Sequence, residues 1–293
     1  MKLYSVNTGH FKLDGGAMFG VVPKSIWNKL NPADENNLCS WAMRSLLIED
    51  GNRLILIDNG MGDKQDAKFF GHYYLHGNDT LDKSLVQYGF NRNDITDVIL
   101  THLHFDHCGG SIMRDGDRLI PAFKNARFWS NQAHWHWATQ PNDREKASFL
   151  RENILPIQES GQLEFVADVK EGSLTHHHAV KPIPSGIIDS ISYITAYGHT
   201  DAMMIPVIQY NGKEIFFMAD LLPSAAHIPL PYVMGYDMFP LTTLHEKKIF
   251  LKHALERQSI LFFQHDPVHE SCVLEMTEKG IRSGEKFNIS SIG

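Results

Sequence analysis

The chain has 293 residues, of which 43% are hydrophobic and 21% charged, and it carries a net charge of −7. That balance fits a globular protein long enough to bury a substantial core, and it excludes a disordered chain. Without a block of Lys and Arg, the acidic balance also argues against nucleic acid as the main partner.

Apolar runs at 45–51 and 53–58 flank Asp50-Gly51-Asn52 and predict a β-hairpin, with a turn cluster over 58–62. From Thr80 onward, Leu81, Leu85 and Tyr88 at helical spacing predict an amphipathic helix that Gly89 stops. Short strands are predicted at 97–100 and 126–129, and a helix over 145–153. In the second half, strands are predicted at 164–166, 191–195, 203–210 and 214–218. Asn211-Gly212 joins the last two and is a strong two-residue hairpin signal. A helix over 243–258 carries Leu244, Phe250, Leu251, Ala254 and Leu255, and a strand at 260–263 follows. No Pro- or Ser-rich linker interrupts the chain, so one α+β domain over 1–293 is expected, with two sheets packed together and helices outside.

Three cysteines, Cys39, Cys108 and Cys272, are too few and too scattered for a disulfide framework. The first ten residues do not read as a secretory signal. No window reaches the roughly 20 apolar residues of a membrane span. A cytoplasmic protein is expected.

The chemistry concentrates at Thr101-His-Leu-His-Phe-Asp-His107, directly after an apolar run. His102, His104, Asp106 and His107 offer the imidazole and carboxylate donors that suit zinc and similar ions. In an extended segment His102 and His104 point to one side. Three later segments share a layout, an apolar run ending in a potential ligand: His199 after 191–196, Asp220 after 215–218 and His265 after 260–263. Loop residues at the ends of strands are well placed to converge on one site.

The order His-x-His-x-Asp-His, then His, Asp and His, resembles the metallo-β-lactamase superfamily of hydrolases. The likeness runs over roughly residues 40 to 270, and includes Leu54 to Asp58 with Gly60, the run from Ile95 to His102, and Gly109 and Gly110. It implies an αββα sandwich of two mixed β-sheets flanked by helices. It also implies two divalent metal ions, expected to be Zn2+. His102, His104 and His199 would hold one ion, Asp106, His107 and His265 the other, and Asp220 would bridge them. Asp58 would orient a ligand by hydrogen bonding. The implied reaction is attack by a metal-bridging hydroxide, with Asp106 as catalytic proton shuttle.

Within the superfamily the sequence is most similar to the N-acyl homoserine lactonases, which implies lactone ring opening. Organophosphate triester and glyoxalase II-like thioester hydrolysis are the alternatives on the same ligands. The expected partner is a small molecule with an acyl chain, without nucleic acid or membrane. Phe69, Phe70, Tyr73, Tyr74, Trp129, Trp135, Trp137, Tyr232, Tyr236 and Phe239 flank ligand segments and supply a possible apolar groove. The resemblance also implies a possible homodimer through 69–75. Two departures stand out. Pro223 occupies a position where the lactonases usually place a substrate-binding Tyr, and His227 is the substitute donor expected here. Ala202 stands where relatives often have Gly.

Overall fold

A computed structural model describes residues 1–167 and 170–292. Two compact units emerge from its backbone contacts, Met1–His10 with Met43–Val166, and Phe11–Ala42 with Ala167–Gly293. In chain order the strands are β1 (Lys2–Asp14), β2 (Leu38–Asp50), β3 (Arg53–Ile57), β4 (Asp97–Ile99), β5 (Ile112–Asp115), β6 (Arg118–Pro121), β7 (Arg127–Ser130) and β8 (Leu163–Phe165). They continue with β9 (Ile183–Pro184), β10 (Ile191–Ala196), β11 (Met203–Tyr210), β12 (Lys213–Phe217), β13 (Ile260–Phe262), β14 (Ser271–Thr277) and β15 (Gly280–Phe287). The helices are α1 (Gly15–Phe19), α2 (Lys24–Trp27), α3 (Ala67–Gly71), α4 (Leu81–Gln87), α5 (Phe105–Cys108), α6 (Gln132–Thr139), α7 (Arg151–Glu159), α8 (Leu174–His177) and α9 (Pro240–Arg257).

A six-stranded mixed sheet runs β1-β2-β3-β4-β7-β8, with antiparallel β2 and β3 followed by parallel neighbours. The first predicted hairpin is present. Asp50 pairs with Arg53, and Gly51 at φ 59° takes the turn position that side chains avoid. Leu47, Leu54, Leu56, Val98, Leu100 and Phe128 bury their side chains with Leu81 and Leu85 of α4. Thr80 caps that helix by accepting the N–H of Lys83.

The helix predicted over 145–153 lies later, at Arg151–Glu159, and runs through Pro156. The Asn142 side chain accepts the N–H groups of Arg144 and Glu145, which winds the preceding segment into a turn instead.

In the other unit a seven-stranded mixed sheet runs β15-β14-β13-β12-β11-β10-β9. Asn211 (φ 49°) and Gly212 (φ 74°) form the tight turn between β11 and β12. Helix α9 begins at Pro240, three residues earlier than its apolar pattern predicts, because Pro is well suited to the first helical turn. Thr243, Glu246, Lys247, Phe250, Leu251 and Ala254 make up its buried stripe. The Phe250 ring meets Phe216 of β12 edge-on at 4.9 Å. Two charged residues on that stripe are unusual, and both serve loops described below. Among the described residues no helix is long and apolar enough to cross a membrane.

Candidate metal centre

In the first unit, β3 and β4 lie side by side and parallel, so their C-terminal loops leave the sheet together. Asp58 follows β3 and is fully buried at φ 54°. Its Oδ1 accepts the N–H of Thr101 at 2.9 Å. Its Oδ2 accepts the Thr101 hydroxyl at 2.8 Å and Nδ1–H of His107 at 3.0 Å. The chain turns sharply here, and glycines allow it. A Cβ on Gly62 would sit 2.6 Å from the Gly109 carbonyl, and one on Gly110 would run into the Asn59 carbonyl. Backbone bonds from Asn59 N to His107 O and from Gly110 N to Gly60 O, both 2.9 Å, lock the two loops together.

Hydrogen bonding fixes which ring nitrogens of this loop carry protons. The Thr101 hydroxyl spends its hydrogen on Asp58, so it accepts from His102 Nδ1 at 3.1 Å. His104 donates from Nε2 to Glu145 Oε1 at 2.9 Å. The remaining nitrogens, His102 Nε2 and His104 Nδ1, then face each other at 3.0 Å with lone pairs only. Two lone pairs at that separation repel unless a cation sits between them, so this donor pair fits a metal ion. By the same reasoning the proton of His107 sits on Nδ1, and its Nε2 lies 3.8 Å from Asp106 Oδ2.

In the second unit, His199 lies just beyond β10, Asp220 beyond β12 and His265 beyond β13. Strands β12 and β13 are parallel neighbours, so Asp220 and His265 emerge at the same end. His199 Nδ1 donates to Asp237 Oδ1 at 2.9 Å, and His265 Nδ1 donates to the Ala42 carbonyl at 2.8 Å. Their bare Nε2 atoms each face Asp220, His199 at 3.2 Å from Oδ2 and His265 at 3.2 Å from Oδ1. One carboxylate thus presents a separate oxygen to each imidazole, an arrangement suited to sharing between two ions. Ala219, immediately before it, is held at φ 43°, a strained conformation of the kind that gathers at functional sites.

Sequence reasoning missed the partners that aim these ligands. Glu145 also accepts Trp137 Nε1 at 2.7 Å, and Asp237 lies well downstream of the histidine it orients. Glu246 accepts the N–H groups of Tyr197 and Gly198 and the hydroxyl of Thr175, bracing the loop into His199. Burial pushes its carboxyl up to about 7. No local motif marks these residues, because each acts across a long sequence separation.

The role expected for His227 needs correction. The ring is buried and stacks on Phe19 at 4.6 Å. Its Nε2 donates to the Met18 carbonyl at 2.9 Å, while Nδ1 accepts the Ser224 hydroxyl at 2.8 Å. Both nitrogens are committed to the interior, and burial pushes the imidazole down to about 3. The neighbouring loop is held by Lys247, whose Nζ donates to the carbonyls of His227, Pro229, Leu230 and Tyr232 at 2.7 to 3.4 Å. Pro223 is buried too, and its carbonyl accepts the N–H of His265 at 3.0 Å.

Residues 44–265 match the metallo-β-lactamase superfamily. The chain belongs to that superfamily. Among its relatives is an N-acyl homoserine lactonase of Bacillus cereus, 27% identical over 165 residues, 53% of this chain and 56% of that protein. The chain thus matches little more than half the length of this relative. A solved structure described as a probable metal-dependent hydrolase from Staphylococcus aureus is 26% identical, covers 98% of this chain and 96% of its own, and superposes with a TM-score of 0.83. AidC, a dizinc quorum-quenching lactonase solved with a product, is 21% identical over 98% of this chain and 95% of its own, with a TM-score of 0.76. At that identity the likeness speaks for the fold alone. This superfamily member therefore has the metallo-β-lactamase fold and His and Asp clusters suited to divalent metals. Its departure at Ala202 has a visible cost: the residue is buried at φ 56°, where glycine is the comfortable choice.

Proposed function

We propose that this chain is a metal-dependent hydrolase that opens the lactone ring of N-acyl homoserine lactones on two divalent ions, most suitably zinc. The observation that carries the reading is Asp220, whose two oxygens face the bare Nε2 atoms of two different histidines. We assign His102, His104, His199 and Asp220 to one ion and Asp106, His107 and His265 to the other, and, because its second oxygen faces His265, Asp220 to both. Bound there, the ions supply Lewis acidity, which lowers the pKa of a water and polarises an ester carbonyl.

The rest falls to the chain. Asp58, Glu145 and Asp237 hold three imidazoles in the tautomer and orientation that ligation needs. Asp106 retains 12% side-chain exposure while Asp58 and His107 are fully buried. It is the carboxylate we assign to carry a proton to the departing ring oxygen. Phe105, next to Asp106, packs against Tyr73 at 4.6 Å and Phe69 at 5.3 Å, an apolar wall suited to an acyl chain. Burial, and secondarily Asp106, push the Tyr73 phenol up to about 12, so it stays a neutral hydrogen-bond donor.

The Bacillus cereus relative and AidC, both described as lactonases, support this substrate class. Three buried free thiols support a reducing, cytoplasmic setting, and exposed Tyr74 and Leu75 support a homodimer contact within 69–75. The test is a pH-stat screen of acyl homoserine lactones of varied chain length, with a phosphotriester and a thioester in parallel. Each is run with and without a chelator. Acid release confined to the lactones and abolished by metal removal is expected. Turnover that survives complete metal removal defeats the reading.

A further inference from the structure

In the second unit, two exposed histidines repeat on the surface a contact that the His102–His104 pair makes in the interior. His178 Nδ1 lies 2.9 Å from His245 Nε2, with the rings 5.1 Å apart and nearly perpendicular. His178 ends the run His176-His177-His178 and caps α8, while His245 lies on α9. The other two histidines of the run turn elsewhere. His177 Nε2 meets the Lys170 carbonyl at 3.2 Å, and the His176 ring lies edge-on to Tyr197 at 5.6 Å. A bond of 2.6 Å from the Thr175 hydroxyl to Glu246 fixes α8 to α9 independently of the histidines. The pair is therefore held together by the fold rather than by its own contact.

We propose that His178 and His245 form a surface site for one divalent ion of the zinc, nickel or copper class, apart from the ligands assigned above. Two imidazoles and no carboxylate disfavour calcium and magnesium, which need oxygen donors. A tetrahedral ion at about 2.0–2.1 Å from each nitrogen separates two donors by about 3.3 Å, so these rings need to open by only a few tenths of an ångström. Both side chains are exposed and free to do so, and solvent fills the remaining positions. His178 sits in a left-handed conformation, φ 50°, that aims its ring at α9. An ion here clips α8 to α9 one residue from Glu246, the carboxylate that braces the loop into His199.

The test is metal content per chain, measured on zinc-loaded protein dialysed against rising free zinc, for the wild type, His178→Ala, His245→Ala and, as a control on an exposed histidine elsewhere, His136→Ala. The expected result is one equivalent fewer in each of the first two variants and no change in the control. The difference is read whatever the occupancy of the buried clusters, so it stands apart from the outcome of the lactone screen. Cu2+ added to zinc-loaded wild type at less than one equivalent should give an electron paramagnetic resonance spectrum with two nitrogen couplings, reduced to one in either variant. Equal metal content in all four proteins overturns the proposal. Loss in His178→Ala but not His245→Ala also overturns it, because the ion would then sit on the histidine run alone.

Discussion

Asp58 Oδ2 accepts a hydrogen bond from His107 Nδ1 at 3.0 Å, inside a pocket from which solvent is excluded. The same carboxylate holds both polar groups of Thr101, and Thr101 in turn sets the tautomer of His102. One buried anion therefore orients two candidate ligands, one for each proposed ion. Removing it in Asp58→Ala leaves His107 Nδ1–H without its acceptor and releases the Thr101 hydroxyl that positions His102. Loss of such supporting partners typically costs about 10–100-fold in metal affinity or activity. A competition titration against a chromophoric chelator is expected to show that loss. Unchanged affinity would mean that the rings are held by packing alone.

Asp220→Ala removes a carboxylate that faces both His199 and His265. The expected outcome is loss of more than one equivalent of bound metal per chain, with lactone turnover falling to background. Substitution of a ligand to a single ion would lose only one. Metal analysis in a His178→Ala background, which removes the proposed surface ion, distinguishes the cases, and a loss of only one equivalent relative to that background would show that Asp220 serves only one ion.

Metal removal should also cost stability. Lone pairs face one another at 3.0 Å between His102 and His104, and lone pairs face a carboxylate at 3.2 Å at both His199 and His265. Without a cation these contacts repel. A chelator-stripped sample is expected to melt below the loaded one, with a melting temperature that rises with added zinc, as binding linkage requires. Identical melting curves with and without metal would contradict the tautomers assigned to these rings.

Much of this was legible in the sequence, and the boundary is physical. Apolar runs and Asn211-Gly212 mark β11, β12 and their turn because the signal is local. The HxHxDH run and the strand-end positions of His199, Asp220 and His265 were legible for the same reason. Glu145, Asp237 and Glu246 were not, since each meets its partner through a contact made only by the fold. His227 shows the opposite error. A histidine near a ligand segment reads as a donor in sequence, but stacking on Phe19 and a bond to Met18 commit it to the interior. Residues 2–14 form one long strand that was not predicted, because polar and aromatic residues interrupt its apolar positions.

Glu246→Ala tests the brace behind His199. The substitution leaves the Thr175 hydroxyl and the N–H groups of Tyr197 and Gly198 without their buried acceptor. Of these only the Gly198 bond is fully buried, and leaving one buried donor unsatisfied costs about 1–3 kcal/mol, so a loss of about that size is expected in denaturant unfolding. Gly198→Ala attacks the same loop from the other side, because its Cβ would run into the Thr243 backbone. Both variants should weaken metal binding through His199. Wild-type stability in both would refute the bracing role.

His227 gives the fold a defined acid sensitivity. Its folded-state pKa is pushed down to about 3, first by burial, from an ordinary value of 6.5. Above pH 6.5 the ring is neutral whether the chain is folded or unfolded, and its contribution to stability is complete. Between 6.5 and about 3 the unfolded chain binds a proton that the folded chain refuses, so stability falls as pH drops. The slope from this one group approaches about 1.4 kcal/mol per pH unit. His227→Gln keeps a polar side chain but cannot titrate. The variant should be less stable than wild type at pH 7.5, because it loses the stack on Phe19. Its stability should then decline less steeply from pH 6 to 4.5, and equilibrium unfolding at several pH values reads that difference directly. Parallel declines in the two proteins would show that His227 is free to take up a proton in the folded state.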